Sequence, residues 1–188
     1  SKLTKLYTDK AIDFILRNKE NRFFVYLPYA MPHVPLHPGK DFAGKSKRGT
    51  YGDVVEEIDW HVGRILKTLE EEGLDENTIV VYVSDQGYFL GEHGFFDKRM
   101  MYEESLRMPF VIRYPKEIPA GTRNKDIITN IDFASLLADY AGVETPELAQ
   151  GRSFRENLKG NTPDDWRQSM YYRYWTQHKI RPAHLGIR

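Results

Sequence analysis

Asp85 and Gln86 stand side by side at the end of an apolar run, and Gly87 follows at once. A carboxylate and an amide carbonyl are hard oxygen donors of the kind Ca²⁺ or Mg²⁺ takes. A glycine after them lets the backbone turn away unobstructed. The plainer alternative is that Asp85 caps a turn. Lys98 comes 13 positions after Asp85, behind a glycine-containing loop, so the chain has room to fold back. An ammonium there would act as a point charge against an anionic substrate; otherwise Lys98 is a solvated surface lysine. His33 lies in Pro32-His33-Val34-Pro35, just past another apolar run. Prolines restrict the backbone around it, and a histidine held at a strand end can donate a hydrogen bond or act as a general acid. A loop histidine without a role is the alternative, and it is the favoured reading for His37. Glu103 and Arg107, four apart, can pair on a helical turn as scaffold.

The elements that must position these residues follow from periodicity. Ile12, Ile15 and Leu16 predict a helix over residues 7–17, with Thr8 as its N-cap. Phe23 to Leu27 is a continuous apolar run ended by Pro28, which suits a strand buried on both faces. A proline-rich loop then runs to Arg48. Val54, Val55, Ile58, Val62, Ile65, Leu66 and Leu69 recur at three and four, an amphipathic helix over residues 51–72 that Gly73 stops. A second buried strand, rich in β-branched residues, spans 78–84 and delivers Asp85 and Gln86 at its carboxyl end. Residues 91–100 read as loop, 109–114 as a third strand, 127–140 as a helix stopped by Gly142, and 170–175 as a fourth strand. Strands alternating with helices predict an α/β sheet covered on both faces. In such open sheets ligands bind outside the carboxyl ends of the strands.

Taken together, Pro32-His33-Val34-Pro35, Ser84-Asp85-Gln86-Gly87, Gly91-Glu92-His93-Gly94, Lys98 and Tyr102-Glu103-Glu104-Ser105-Leu106-Arg107-Met108-Pro109 resemble the sulfatase family in order and spacing, over nearly the whole chain. The resemblance implies the alkaline phosphatase-like α/β fold, a mostly parallel or mixed sheet flanked by helices, with residues 1–188 forming part of one catalytic domain. It implies that Asp85 ligates an active-site Ca²⁺ (Mg²⁺ is possible), with Gln86 where many members carry Asn or His as the next ligand. Lys98 matches the lysine that contacts the sulfate group. His33 matches the histidine that hydrogen-bonds the ester and helps protonate the leaving oxygen. His184 lies in a region that approaches substrate in some members, and His93 supports the site without touching it. The implied activity is hydrolysis of a sulfate ester, on a sulfated sugar or an aryl alcohol, and family members often act in the periplasm, outside the cell or in lysosomes.

Sulfatases attack with a formylglycine made from Cys or Ser in a Cys/Ser-x-Pro/Ala-x-Arg motif. This chain has no cysteine, and none of its serines lies in such a motif. The family's amino-terminal Asp-Asp metal pair is not found either; Asp164-Asp165 follows Thr162-Pro163 and reads as a helix entrance. The chain is therefore expected to be the carboxyl-terminal part of a catalytic domain, inactive alone and weak for calcium, with the formylglycine outside it. A phosphonate or phosphate ester hydrolase of the same superfamily is the nearest rival, since a shared fold does not settle the substrate. A non-catalytic carbohydrate-binding module is the other.

Composition narrows the partners. Lys plus Arg and Asp plus Glu are 27 each, so the formal net charge is zero. No global field draws the chain toward nucleic acid or an anionic membrane. No apolar run nears the roughly 20 residues of a membrane helix. The aromatic run Tyr171, Tyr172, Tyr174 and Trp175 offers a sugar-facing wall, although a buried strand is the stronger reading. The governing expectation is that His33, Asp85-Gln86 and Lys98 meet at one anion-sized pocket on one rim of the sheet.

Overall fold

Thr4, Thr8, Ala11 and Ile15 recur at helical spacing and bury one face of the first helix, α1 (Lys2–Asn18). In the computed structural model, which describes residues 2–188, α1 starts earlier than the sequence predicts. Thr8 is consequently no cap: it is buried inside the helix, where its hydroxyl donates to Thr4 O at 2.9 Å. α1 packs on α2 (Gly49–Glu71) in the first of two units, which ends at Thr78. Val54, Ile58 and Leu69 are buried along α2, whereas Val55 and Leu66 are exposed. The buried stripe also carries Asp53, Glu57 and His61. The two carboxylates hold the proline-rich loop: Glu57 accepts from the Gly39 amide at 2.7 Å, and Asp53 from Gly44, Lys45 and Ser46 at 2.8–3.1 Å. Those amides, Ser46's foremost, lower the pKa of Asp53. Gly73, at φ +66°, ends the helix region as predicted.

The strand expected at 23–27 does not form, and Phe24 is 68% and Tyr26 78% exposed there. A strand needs a neighbour to receive its N–H and C=O groups, and no ladder to this segment forms among the described residues.

The second unit, Ile79–Arg188, holds three two-stranded antiparallel sheets. β1 (Val80–Val83) pairs with β4 (Phe110–Arg113), Val80 opposite Arg113 and Val83 opposite Phe110. β2 (Phe89–Leu90) and β3 (Phe96–Asp97) form a small hairpin; β3 falls inside the 91–100 stretch predicted as loop, and β2 lies just before it. β5 (Tyr171–Tyr174) pairs with β6 (His184–Ile187), a strand that the sequence did not announce. Between them lie α3 (Glu103–Leu106), α4 (Asp132–Ala141) and α5 (Arg155–Leu158). β1 is mostly exposed, with Val81, Tyr82 and Val83 open on their faces, so burial on both faces does not hold for it. The core gathers Leu136, Phe154, Leu158 and Trp166, with Phe110, Ile112 and Phe133 against them.

α4 begins at Asp132 rather than at Ile127, because Thr129 bonds locally to Asp132 instead. Thr129 donates to Asp132 Oδ2 from its amide at 2.7 Å and from its hydroxyl at 3.0 Å. Asp132 has no exposed side-chain area and pairs with Arg167, whose Nη2 lies 2.7 Å from Oδ1. Burial alone would raise its pKa, yet Arg167 and the Arg152 and Thr129 amides outweigh that and lower it. Asp164-Asp165 forms a turn, not a helix entrance, and Arg152 holds the Asp165 carboxylate at 3.0 Å. Among the described residues no helix is long and apolar enough to cross a membrane.

Candidate functional site

The β1 ladder carries on past the strand, Ser84 N–H donating to Pro109 O at 3.3 Å, and so fixes the exit of the next residues. Asp85 is exposed there and Gln86 half-buried. The backbone oxygen of Asp85 accepts from Asn130 Nδ2 at 2.6 Å. Gly87 then passes so close to α3 that a Cβ on it would lie 2.1 Å from Glu104 O. This contact requires the glycine. The Gly87 amide donates to Ser105 O at 2.9 Å, and the buried Ser105 hydroxyl donates to the carbonyl oxygen of Lys98. Ser105 thereby ties the backbone behind Asp85-Gln86 to that of Lys98. Lys98 itself is half-buried, one residue past β3.

The surrounding residues hold this junction from other sides. His93, at φ +54°, stacks on Tyr102 at 4.7 Å, and its Nε2 lies 3.1 Å from Glu104 Oε1. Phe89 is buried against Phe95 and Tyr102. Glu103 pairs with Arg188, Nε to Oε1 at 2.6 Å, and not with Arg107 as the four-residue spacing suggested. α3 is only one turn long, and the carboxyl-terminal strand offers the nearer cation.

His184 opens β6 and is half-buried. Its ring lies 5.5 Å from Tyr172 and 5.6 Å from Tyr174, and its Nδ1 is 2.9 Å from Pro182 O. Its Nε2 is buried without a hydrogen-bond partner. Burial, with Tyr174 beside it, raises the pKa of the Tyr172 phenol. Tyr172 therefore faces the histidine and does not form a plain core strand, while Trp175 is exposed with the Arg173 guanidinium 3.3 Å over its ring.

His33 belongs to the first unit and is exposed, with Nδ1 2.8 Å from Val34 O. Its loop is fastened before it, where Tyr29 and Thr8 share a 2.6 Å hydroxyl bond, and after it by the Gly39–Glu57 bond.

Among the described residues no group of three or more His, Cys, Asp or Glu could hold a metal. Asp85 and Gln86 have the donor chemistry of a hard-cation site, but calcium takes 6–8 oxygens. They fit as part of a donor set, and further ligands must come from other residues. Sequence reasoning passed over Ser105 and Asn130, whose side chains bond to the backbone oxygens of Lys98 and Asp85. The glycine beside Asp85-Gln86 marked a close approach without saying to what.

Comparison with known proteins agrees with the motif order. The family described as N-sulphoglucosamine sulphohydrolase, C-terminal, matches residues 91–188. N-acetylglucosamine-6-O-sulfatase of Bacteroides thetaiotaomicron is 52% identical over 136 residues, 70% of this chain and 24% of that protein. Human steryl-sulfatase is 37% identical over 175 residues, 85% of this chain and 30% of the relative. A solved structure of a protein in complex with its substrate, D-glucosamine-2-N,6-O-disulfate, superposes with a TM-score of 0.69 at 49% identity, covering 74% of this chain and 29% of its own. The chain thus spans about a quarter to a third of the length of these relatives.

Proposed function

This chain belongs to the sulfatase family, with its alkaline phosphatase-like α/β fold, and on that footing we propose that the protein carrying it hydrolyses sulfate esters, with a sulfated amino sugar as the substrate class. The observation that carries the reading is the Ser105 junction. It fastens together, backbone to backbone, the two segments whose side chains have complementary tasks: oxygen donors for a cation at Asp85-Gln86 and an ammonium at Lys98. The sugar class rests on the likeness to N-acetylglucosamine-6-O-sulfatase and to the glucosamine disulfate complex. Both units are taken as parts of one catalytic domain, since human steryl-sulfatase matches 85% of the chain.

In this reading Lys98 offsets the charge that builds on the sulfate oxygens in the transition state, where preorganised charge acts most strongly. Asp85 and Gln86 contribute two oxygen donors to a Ca²⁺ site, with Mg²⁺ as the alternative ion. A cation held by such donors would supply Lewis-acid charge to the reaction. His33 hydrogen-bonds the ester oxygen and passes a proton to the departing alcohol. His184, seated among tyrosines, meets the sugar. The formylglycine is supplied by residues other than these 188, so the chain alone is expected to turn nothing over.

The test is a paired assay of the complete protein on aryl sulfate, aryl phosphate, a phosphonate monoester and a 6-O-sulfated N-acetylglucosamine. Preference for the sulfates, highest on the sugar, is expected. Preference for phosphate or phosphonate would overturn the reading.

A further inference from the structure

Asp97, the last residue of β3, has a backbone φ of +96°, a region that a residue with a Cβ rarely occupies. Such strain persists only where the surroundings over-determine it. Here they do. Asp97 Oδ2 accepts from Arg99, two residues on, and from Arg181, 84 residues on. The Asp97–Arg99 pair closes a three-residue loop whose middle member is Lys98. The Ser105 hydroxyl fixes the Lys98 carbonyl at the same time.

Arg181 belongs to the turn between β5 and β6, where its amide donates to His178 O at 3.2 Å and its carbonyl accepts from the His178 amide at 3.0 Å. Its side chain is 23% exposed and its Nε is buried without a partner. A largely buried cation so placed leans on its carboxylate, and removing that carboxylate leaves the charge uncompensated. The contact is the first of three along the same two stretches of chain. A Cβ on Gly186 would fall 2.3 Å from Met101 Sδ, and Arg188 pairs with Glu103. Residues 181, 186 and 188 therefore run beside 97, 101 and 103. His184 lies inside that seam, three residues past Arg181.

We propose that Asp97 and Arg181 are positioning residues: their ion pair, with the seam it starts, locks the Lys98 turn and the β5–β6 arm bearing His184 into one substrate-facing unit. The inference rests on the reading that Lys98 meets the sulfate and His184 the sugar. A sulfated sugar held at both points must fit a fixed separation. Small misplacements of a bound group are costly to turnover, so the lock acts on kcat more than on binding of sulfate alone.

The experiment uses the complete protein and two substrates: a small aryl sulfate, which reaches only the sulfate contacts, and a 6-O-sulfated N-acetylglucosamine, which spans both. Arg181→Ala is expected to lower kcat on the sugar by about 10- to 100-fold while leaving the aryl sulfate little changed. Asp97→Ala is expected to lower both, since it also releases the Lys98 loop. The double variant should match Asp97→Ala alone on the sugar, and Arg181→Lys should recover part of the loss. Thermal midpoints accompany each variant. Equal losses on both substrates for Arg181→Ala, additive losses in the double variant, or no loss at all would overturn the lock. Lys98→Ala separates the layers. If it is damaging while Arg181→Ala is silent, only the lock falls. If Lys98→Ala is itself silent, the sulfate contact falls and the lock with it.

Discussion

The side-chain amide of Asn130 donates to the backbone oxygen of Asp85 at 2.6 Å, across 45 positions of sequence. Asn130 lies two residues before α4 in a loop that Thr129 and Asp132 close on each other, so the strand end at Asp85 is referenced to the amino terminus of that helix. Asn130→Ala is expected to lower stability by about 1 kcal/mol, the net worth of a neutral hydrogen bond. If Asp85 ligates calcium, affinity should weaken roughly 10-fold or more, as when a supporting partner of a ligand is lost. Calorimetric titration of calcium into the complete protein checks this, and an unchanged affinity would detach Asn130 from the site.

Gly87→Ala should damage the junction directly. The new Cβ would lie 2.1 Å from a backbone oxygen, Glu104 O, which cannot swing aside like a side-chain tip. A loss of about 1–3 kcal/mol is expected, in line with overpacking. Gly63, inside α2 with nothing within 4 Å of its Cβ position, is the control. Gly63→Ala should stabilise by roughly 0.5–1 kcal/mol through helix propensity. Urea midpoints of both variants decide the comparison.

Asp132 sets a pH dependence. Its folded pKa lies below the unfolded value of about 3.9, so the stability it contributes is full above that value and is lost as pH falls through the lower folded one. Asp132→Asn at pH 7 leaves Arg167 without its buried partner and should cost about 3–5 kcal/mol. Urea midpoints between pH 7 and pH 3 should fall steeply for the natural chain and less for the variant. A parallel fall in both would remove Asp132 from the account.

Much of the frame was legible from periodicity. α2, its stop at Gly73, β1, β4 and β5 fall where Val54 to Leu69, the apolar runs and the aromatic run at 170–175 put them. Helix starts were not, because Thr8 and Thr129 can cap, back-bond or turn, and only packing chooses among these. The hairpin at Phe89–Asp97 escaped because two-residue strands carry no alternation to detect. β6 escaped because a glycine, Gly186, stands inside it, and only the contact with Met101 explains that glycine. At the site, residue types pointed to Asp85, Gln86 and Lys98. Ser105, Asn130 and Asp97 stayed hidden, since what they contribute is a hydrogen bond to distant backbone or an ion pair 84 residues long.

The central claim is tested most directly by Lys98→Ala in the complete protein, with kcat and KM measured on an aryl sulfate. The account predicts a fall in kcat of about 10²-fold or more, the effect of removing one electrostatic stabiliser from a preorganised site, with the thermal midpoint little changed. Turnover equal to that of the natural protein would contradict it.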